Sequence, residues 1–442
     1  MLSRYLLAST ILMTACATAA PQEEEVAGAE SPLSPLPLLP IELEKELVIT
    51  NPLVVRGPDA NPGGAYHIAT LFREMLPETA TNREVSDLIF NWAASWRTAQ
   101  AVNRDVSAPR PGVSNAILCG WINASGGVDC QMPADGLNLN LAPFRLLAIV
   151  NRVDLMNPRS CVTEPGEARL VFALLNKPTA LPQTDPSAFP MPATFIFEYK
   201  LPTSAPSTNT VTWANRWHAL GSLSCDSTDC TPYRTGLRQL VRSITSRNVA
   251  SQTPNGNSLS QLRTNELLPG SPFWQMKEFN LVAEGTSVNV RQATVKQNPR
   301  EPLVNDPVLV DVLKNNADAI MDGSFNWAKS QPKLLGSKSN SSGAKWLSAV
   351  DDASLSDIPG RGQMIRKAFI NNTCDGCHEN QTGDRPNVEG FYHISPSGRV
   401  SDFVIDDAQT TRTRVLSDLV STSSCTMGFN GFALASLRSS PH

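Results

Sequence analysis

The chain has 442 residues, 41% of them hydrophobic, enough to bury a sizeable core and to form two or three domains. Its formal net charge is -4, and no Lys/Arg run or basic stripe occurs, which argues against a nucleic-acid partner. Proline is frequent, at 34 residues, yet the overall composition is not that of a disordered chain, so long loops between packed elements are expected.

The N-terminus reads as an export signal. Arg4 precedes a short apolar run from Tyr5 to Met13, too short to span a bilayer and of the length of a signal-peptide core. Met13-Thr14-Ala15-Cys16 resembles a bacterial lipobox, which implies lipidation of Cys16 at the end of a signal over residues 1–16. An ordinary cleavage after Ala17-Thr18-Ala19 is the alternative. Ala17 is not acidic, which resembles lipoproteins sent to the outer membrane. The expected location is therefore the cell envelope, with the lipid as the membrane contact. Residues 17–45 read as a tether: Glu23, Glu24 and Glu25 lead into the run from Ser31 to Pro40, whose proline density favours extended polyproline and blocks helix.

A body over 46–355 follows. Leu47 to Val55 reads as one or two short strands broken at Pro52. Thr81-x-x-Glu84 is a capping box, and Val85, Leu88, Ile89, Trp92, Trp96 and Ala99 follow at helical spacing as a core stripe. Phe144 to Leu155, Arg169 to Leu175 and Ala193 to Leu201 read as strands. In the last, Phe195, Phe197, Tyr199 and Leu201 alternate with Ile196, Glu198 and Lys200, which predicts one buried face. Helices are expected over Thr212 to Leu220, Tyr233 to Arg247 and Pro307 to Met321, the last opened by Asp306-Pro307. Phe279 to Ala283 and Ser287 to Val295 read as a hairpin. Strands and helices mix without strict alternation. This predicts an α+β fold with a mixed, largely antiparallel sheet and a small, mainly helical C-terminal segment over 356–442.

That segment carries Cys374-Asp375-Gly376-Cys377-His378, the C-x-x-C-H spacing of a c-type haem site. Two thiols three apart reach the vinyl groups of one porphyrin, and His378 follows as the proximal iron ligand. Just before it, Met364, Ile365, Ala368 and Phe369 lie on one helical face, which resembles the first helix of small c-type cytochromes packed on the haem edge. A distal ligand is expected from His393 or Met427, with His393 favoured by its short loop and its Phe391-Tyr392 neighbours. Two rivals remain: a zinc site completed from Cys425, His393 and Asp402, or a disulfide between Cys374 and Cys377. Through AIVNRVDL (Ala148 to Leu155), FIFEY (Phe195 to Tyr199) and NTCDGCH (Asn372 to His378), the whole chain resembles an uncharacterised group of bacterial exported lipoproteins. That resemblance implies no particular activity.

Besides Cys16, Cys374 and Cys377, six cysteines remain, an even number that suggests disulfides in an oxidising compartment. Proximity in sequence ranks Cys119 with Cys130 and Cys225 with Cys230, which leaves Cys161 and Cys425. No H-E-x-x-H, G-x-S-x-G, Walker or Rossmann pattern occurs. His67 and His218 are isolated and are expected to be satisfied structural histidines. Asn151, Arg152 and Asp154, with Glu164, Glu167 and Arg169, are expected to form a buried ion-pair network where a sheet edge meets a loop; lining a polar pocket is the other possibility. The functional expectation is a lipid-anchored protein with one haem c that transfers electrons to a partner protein. The alternative is a non-redox surface lipoprotein that binds a partner or glycan.

Overall fold

Seven antiparallel strands form the central sheet of the protein, seen in a computed structural model. The structure describes residues 40–157, 164–203, 209–227, 229–251, 253–267, 274–285, 287–321, 325–340, 355, 361–380 and 391–422. Strand β1 is Val48–Ile49; β2 (Gln100–Val102) and β3 (Asp105–Ser107) make a separate two-stranded ribbon. The sheet continues with β4 (Phe144–Arg152), β5 (Glu167–Leu175), β6 (Pro190–Lys200), β7 (Leu259–Glu266), β8 (Gln275–Glu284) and β9 (Ser287–Ala293), in the order β1-β4-β5-β6-β7-β8-β9. With helices packed on both faces, this is an α+β fold.

The period of two along each strand gives the sheet two unlike faces. One is aromatic. Phe195 and Phe197 of β6 meet Phe72, Trp92 and Phe144 at ring distances of 5.3 to 5.5 Å, mostly edge to face. Trp92 comes from the Asn82–Ala94 helix, where Thr81 accepts from Glu84 N and the Glu84 carboxylate accepts from Thr81 N. That reciprocal cap fixes the helix start, and Val85, Leu88, Ile89 and Trp92 then fall on the buried side. Each such side chain contributes about 1.5–3 kcal/mol by leaving water.

The second face is polar and is also covered. Glu198, expected on the open side of β6, is 1% exposed. Elements from the C-terminal part of the chain lie over it, so neither face of the central strands meets solvent. The segment from Gly362 onward shares its packing with earlier residues: Ile365 and Phe369 join Leu303, Leu309 and Trp327 in one hydrophobic cluster.

Several elements differ from the sequence reading. After β1 the chain turns into a short helix, Pro52–Val55, because Asn51 caps Leu53 N and Pro52 suits a first turn. The expected helix from Pro307 to Met321 breaks at Asn316 into Pro307–Asn315 and Ala317–Met321. Met364 is 62% exposed and stands off the face that Ile365 and Phe369 bury. Those two residues serve the cluster with Trp327 rather than the motif that follows. Strand β7 and the helices Ile68–Glu74 and Pro111–Ala124 had no counterpart in the sequence reading.

Disulfides join Cys119 to Cys130 and Cys225 to Cys230. Cys16, Cys161, Cys425 and Met427 lie outside the described residues. Among the described residues, no helix is long and apolar enough to cross a membrane.

Candidate functional site

Cys374, Cys377 and His378 occupy positions i, i+3 and i+4 of the helix Cys374–Asn380, so all three share one side. That side faces inward: both cysteines are fully buried and His378 is 2% exposed. The start of the helix is fixed by Thr373, whose Oγ1 accepts from Gly376 N at 3.0 Å and donates to the Ile370 carbonyl at 2.8 Å. Gly376 has to be glycine here, because a Cβ would stand 2.0 Å from the Ile370 carbonyl oxygen. Asp375 is buried beside it and accepts from Ser339 Oγ.

His378 is held on two sides. Its ring stacks on Trp274 with centroids 4.7 Å apart, and its Nδ1 lies 2.7 Å from the Phe391 carbonyl oxygen. Burial pushes its pKa down to about 4, so the imidazole is neutral at pH 7. Nδ1 then donates its proton to the carbonyl, and Nε2 carries the lone pair. A metal-ligating histidine is held in the same way, by a carbonyl that accepts from the ring nitrogen turned away from the metal.

His393 lies beside it, with ring centroids 4.6 Å apart. Its Nε2 is 3.6 Å from Cys377 Sγ. Burial, helped by the nearby His378 and Arg412, holds its pKa well below the usual range. Cys374 Sγ donates to the Lys296 carbonyl at 3.3 Å. Burial pushes the Cys374 thiol up to about 12 and raises that of Cys377 as well, so both are thiols at neutral pH. No disulfide joins them.

A cavity of about 70 Å³ lies between His378 and the polar sheet face; of the motif it is lined by His378 but by neither cysteine. The sheet lines it with Val150 and Arg152 of β4, Arg169 and Val171 of β5, Thr194, Ile196 and Glu198 of β6, Arg263 and Asn265 of β7, and Met276 of β8. The cover lines it with Ile394, Phe403, Val404 and Arg412, and His378 and His393 complete it. The carboxylates around these four arginines form a buried network. Arg152 binds Asp154 through both oxygens at 2.9 to 3.1 Å. Arg169 meets Glu167 at 2.9 Å, Arg263 reaches Glu198 and Glu278, and Arg412 meets Asp407 at 2.7 Å. Burial alone would raise the Asp154 carboxyl, but the charges of Arg152 and Arg412 hold it below its ordinary value.

The ion-pair network expected around Arg152, Asp154, Glu167 and Arg169 is therefore present, and it also lines a pocket. Glu164 stands apart from it, paired with Asn157 and Lys329 at the surface. Two guanidinium donors in the cavity wall have no hydrogen bond among the described residues: Arg412 Nη1 and Arg169 Nε, the latter 3.6 Å from Glu198 Oε1 at ion-pair distance only. Burial, and then the like charge of Arg152, lowers the Arg412 pKa to about 10. The site thus has spare positive donors in a water-poor setting, where an anion is favoured.

The structure brings Cys374, Cys377, His378 and His393 together. Asp402 does not join them; it is exposed at the first position of the helix Asp402–Asp407. Among the described residues, no group of three or more His, Cys, Asp or Glu side chains is arranged to hold a metal ion. Arg263, Arg412, Glu198 and Trp274 were not foreseen as site residues. The alternation Gln261, Arg263, Asn265 in β7 is the sequence signal that marks its polar face. His218 is satisfied as expected, 2.8 Å from Glu46. His67 is not: its buried Nε2 has no hydrogen-bond partner among the described residues.

The donor chemistry suits a c-type haem. Two thiols and a neutral imidazole share one helical face, and guanidinium groups with unused donors suit propionate carboxylates. The cavity, with the cover in place, holds a few waters rather than a porphyrin. A porphyrin would fit there only with the cover over 391–422 standing further from the sheet. Comparison of the chain with family models, with curated proteins and with solved structures finds no match.

Proposed function

We propose that the protein is an exported electron-transfer protein with one haem c, bound through Cys374 and Cys377 and ligated by His378. The observation that carries this reading is the fixed orientation of His378. Its Nδ1 is committed to the Phe391 carbonyl, and its ring borders an arginine-lined cavity. The bound haem would supply a one-electron iron couple. The chain's own residues have other tasks. Trp274 and Phe391 hold the proximal imidazole, while Arg169 and Arg412 offer donors to the carboxylates. Val171, Ile196 and Phe403 supply apolar wall beside those donors. No substrate chemistry is required, and the redox partner is another protein. A lipid on Cys16 holds the protein at the outer membrane.

Protein purified from cells able to attach haem is expected to show c-type absorption bands, and the haem should stay with the chain on a denaturing gel. Cys374→Ala/Cys377→Ala should lose that covalent haem. A colourless, folded wild-type protein with both thiols intact would overturn the reading. It would favour a non-redox surface lipoprotein instead. The bonds from Cys374 to the Lys296 carbonyl and from Cys377 to His393 already tie the motif to the body without any cofactor. For the distal ligand, His393→Ala is expected to leave a haem that is attached but high-spin, and Met427→Ala to change little. A sulfur-to-iron charge-transfer band that vanishes in Met427→Ala would assign the ligand to Met427.

A further inference from the structure

In the haem-free chain the wall of the arginine-lined cavity is of two kinds. Guanidinium groups form part of it, and Val150, Val171, Ile196 and Phe403 form an apolar part. The arginines are not all spent. Arg412 gives its Nε to Asp407, and Arg169 gives its Nη2 to Glu167. Arg412 Nη1 and Arg169 Nε are sealed within the wall. That leaves Arg412 Nη2 and Arg169 Nη1, which have no acceptor among the described residues and are not sealed in this way. Arg412 is 3% exposed overall, so the surface left to its Nη2 belongs to the cavity that it lines. Both guanidinium charges act on Asp154 and on His393, which places the two groups near one another.

Charge and wall together limit the ligand. Spare N–H donors on a cation, away from bulk water, favour an ionised acceptor. Each of the four lining arginines is already answered by a carboxylate, which leaves no net charge for a dianion such as phosphate. Glu198, the carboxylate among the lining residues, is itself held by Gln261, Arg169 and Arg263. A halide would satisfy the donors but leave the apolar wall against water. A carboxylate with a short hydrocarbon end meets both parts, and it takes the room of the few waters the cavity can hold.

We propose that the haem-free chain binds a short aliphatic carboxylate in this cavity, its oxygens accepting from Arg412 and Arg169 and its alkyl end lying against Val171, Ile196 and Phe403. Arg412 is still charged at neutral pH, since burial lowers its pKa only to about 10. The proposal does not rest on haem attachment. A chain that never takes up haem still binds the carboxylate, and the absorption bands test the haem separately.

The test uses the full haem-free chain at pH 7, equilibrated with propionate, butyrate or the neutral propionamide and read by calorimetry. Propionate or butyrate is expected to bind saturably, about tenfold or more tightly than propionamide, because only the ionised group makes charge-assisted bonds. Arg412→Lys keeps a cation for Asp407 but loses the second planar donor, so it should weaken butyrate about tenfold. An isotope-filtered NOE from the butyrate methyl to the Phe403 ring locates the ligand in the wild-type chain, without any variant. The proposal fails if neither carboxylate binds at millimolar concentration or if propionamide binds as tightly. It also fails if bound butyrate gives no NOE to Phe403.

Discussion

Glu198 shows how much one buried carboxylate can hold. It is 1% exposed, sits between Arg169 and Arg263, and accepts from Gln261. Removing its charge leaves two guanidinium groups buried and under-neutralised, a loss of about 3–5 kcal/mol. Glu198→Gln is therefore expected to lower the midpoint of chemical denaturation by that amount, whereas a change at the exposed Glu284–Arg291 pair should cost little. His67 gives the residue-scale prediction for pH. Its folded pKa, about 4, lies below the ordinary value of 6.5 because burial disfavours the charged ring. Between those values the unfolded chain binds a proton that the folded chain does not. Stability is fully present above about pH 6.5 and is lost as pH falls toward 4, by about 3 kcal/mol for this group. Denaturation curves at pH 7 and pH 4.5 should show the loss, and it should shrink in His67→Gln.

At the scale of elements, the motif helix depends on close backbone contact. Gly376→Ala would push a Cβ into the Ile370 carbonyl, so the helix must shift and the inward face must open. A loss of about 1–3 kcal/mol is expected, together with faster alkylation of Cys374 and Cys377. The Cys119–Cys130 loop should contribute about 3 kcal/mol by restricting the unfolded chain; reducing it, or changing both residues to Ala, measures this. Which elements were legible follows from their chemistry. The Asn82–Ala94 helix and the β6 strand announce themselves through a cap and a clean alternation. Strand β7 does not, since Leu-Ser-Gln-Leu-Arg-Thr-Asn-Glu carries polar side chains toward both faces, and only tertiary partners make them buriable. The same cause hid the site. The spacing of Cys374, Cys377 and His378 is local and readable, but Arg263 and Arg412 reach it from elements 149 residues apart in number, and no local pattern encodes that meeting.

For the whole molecule, the anchor is the outermost prediction. Cys16→Ser is expected to move the protein from the membrane fraction to the soluble one, with the disulfides Cys119–Cys130 and Cys225–Cys230 still formed. Retention in the membrane fraction would point to a protein partner instead. The arrangement of the sheet has a further effect, on timing. All seven strands precede residue 294, and the cover that seals the polar face comes after residue 390. The two thiols between them are fully buried and protonated once the cover docks, so they are inert in the closed protein. Any agent that reacts with them, whether a haem-attaching enzyme or iodoacetamide, must reach them before docking or wait for the cover to lift. Labelling of the folded, haem-free protein should then run at a rate set by opening, insensitive to reagent concentration once the reagent is in excess. Docking is thus a deadline: a chain that closes first is locked out of modification until it opens again.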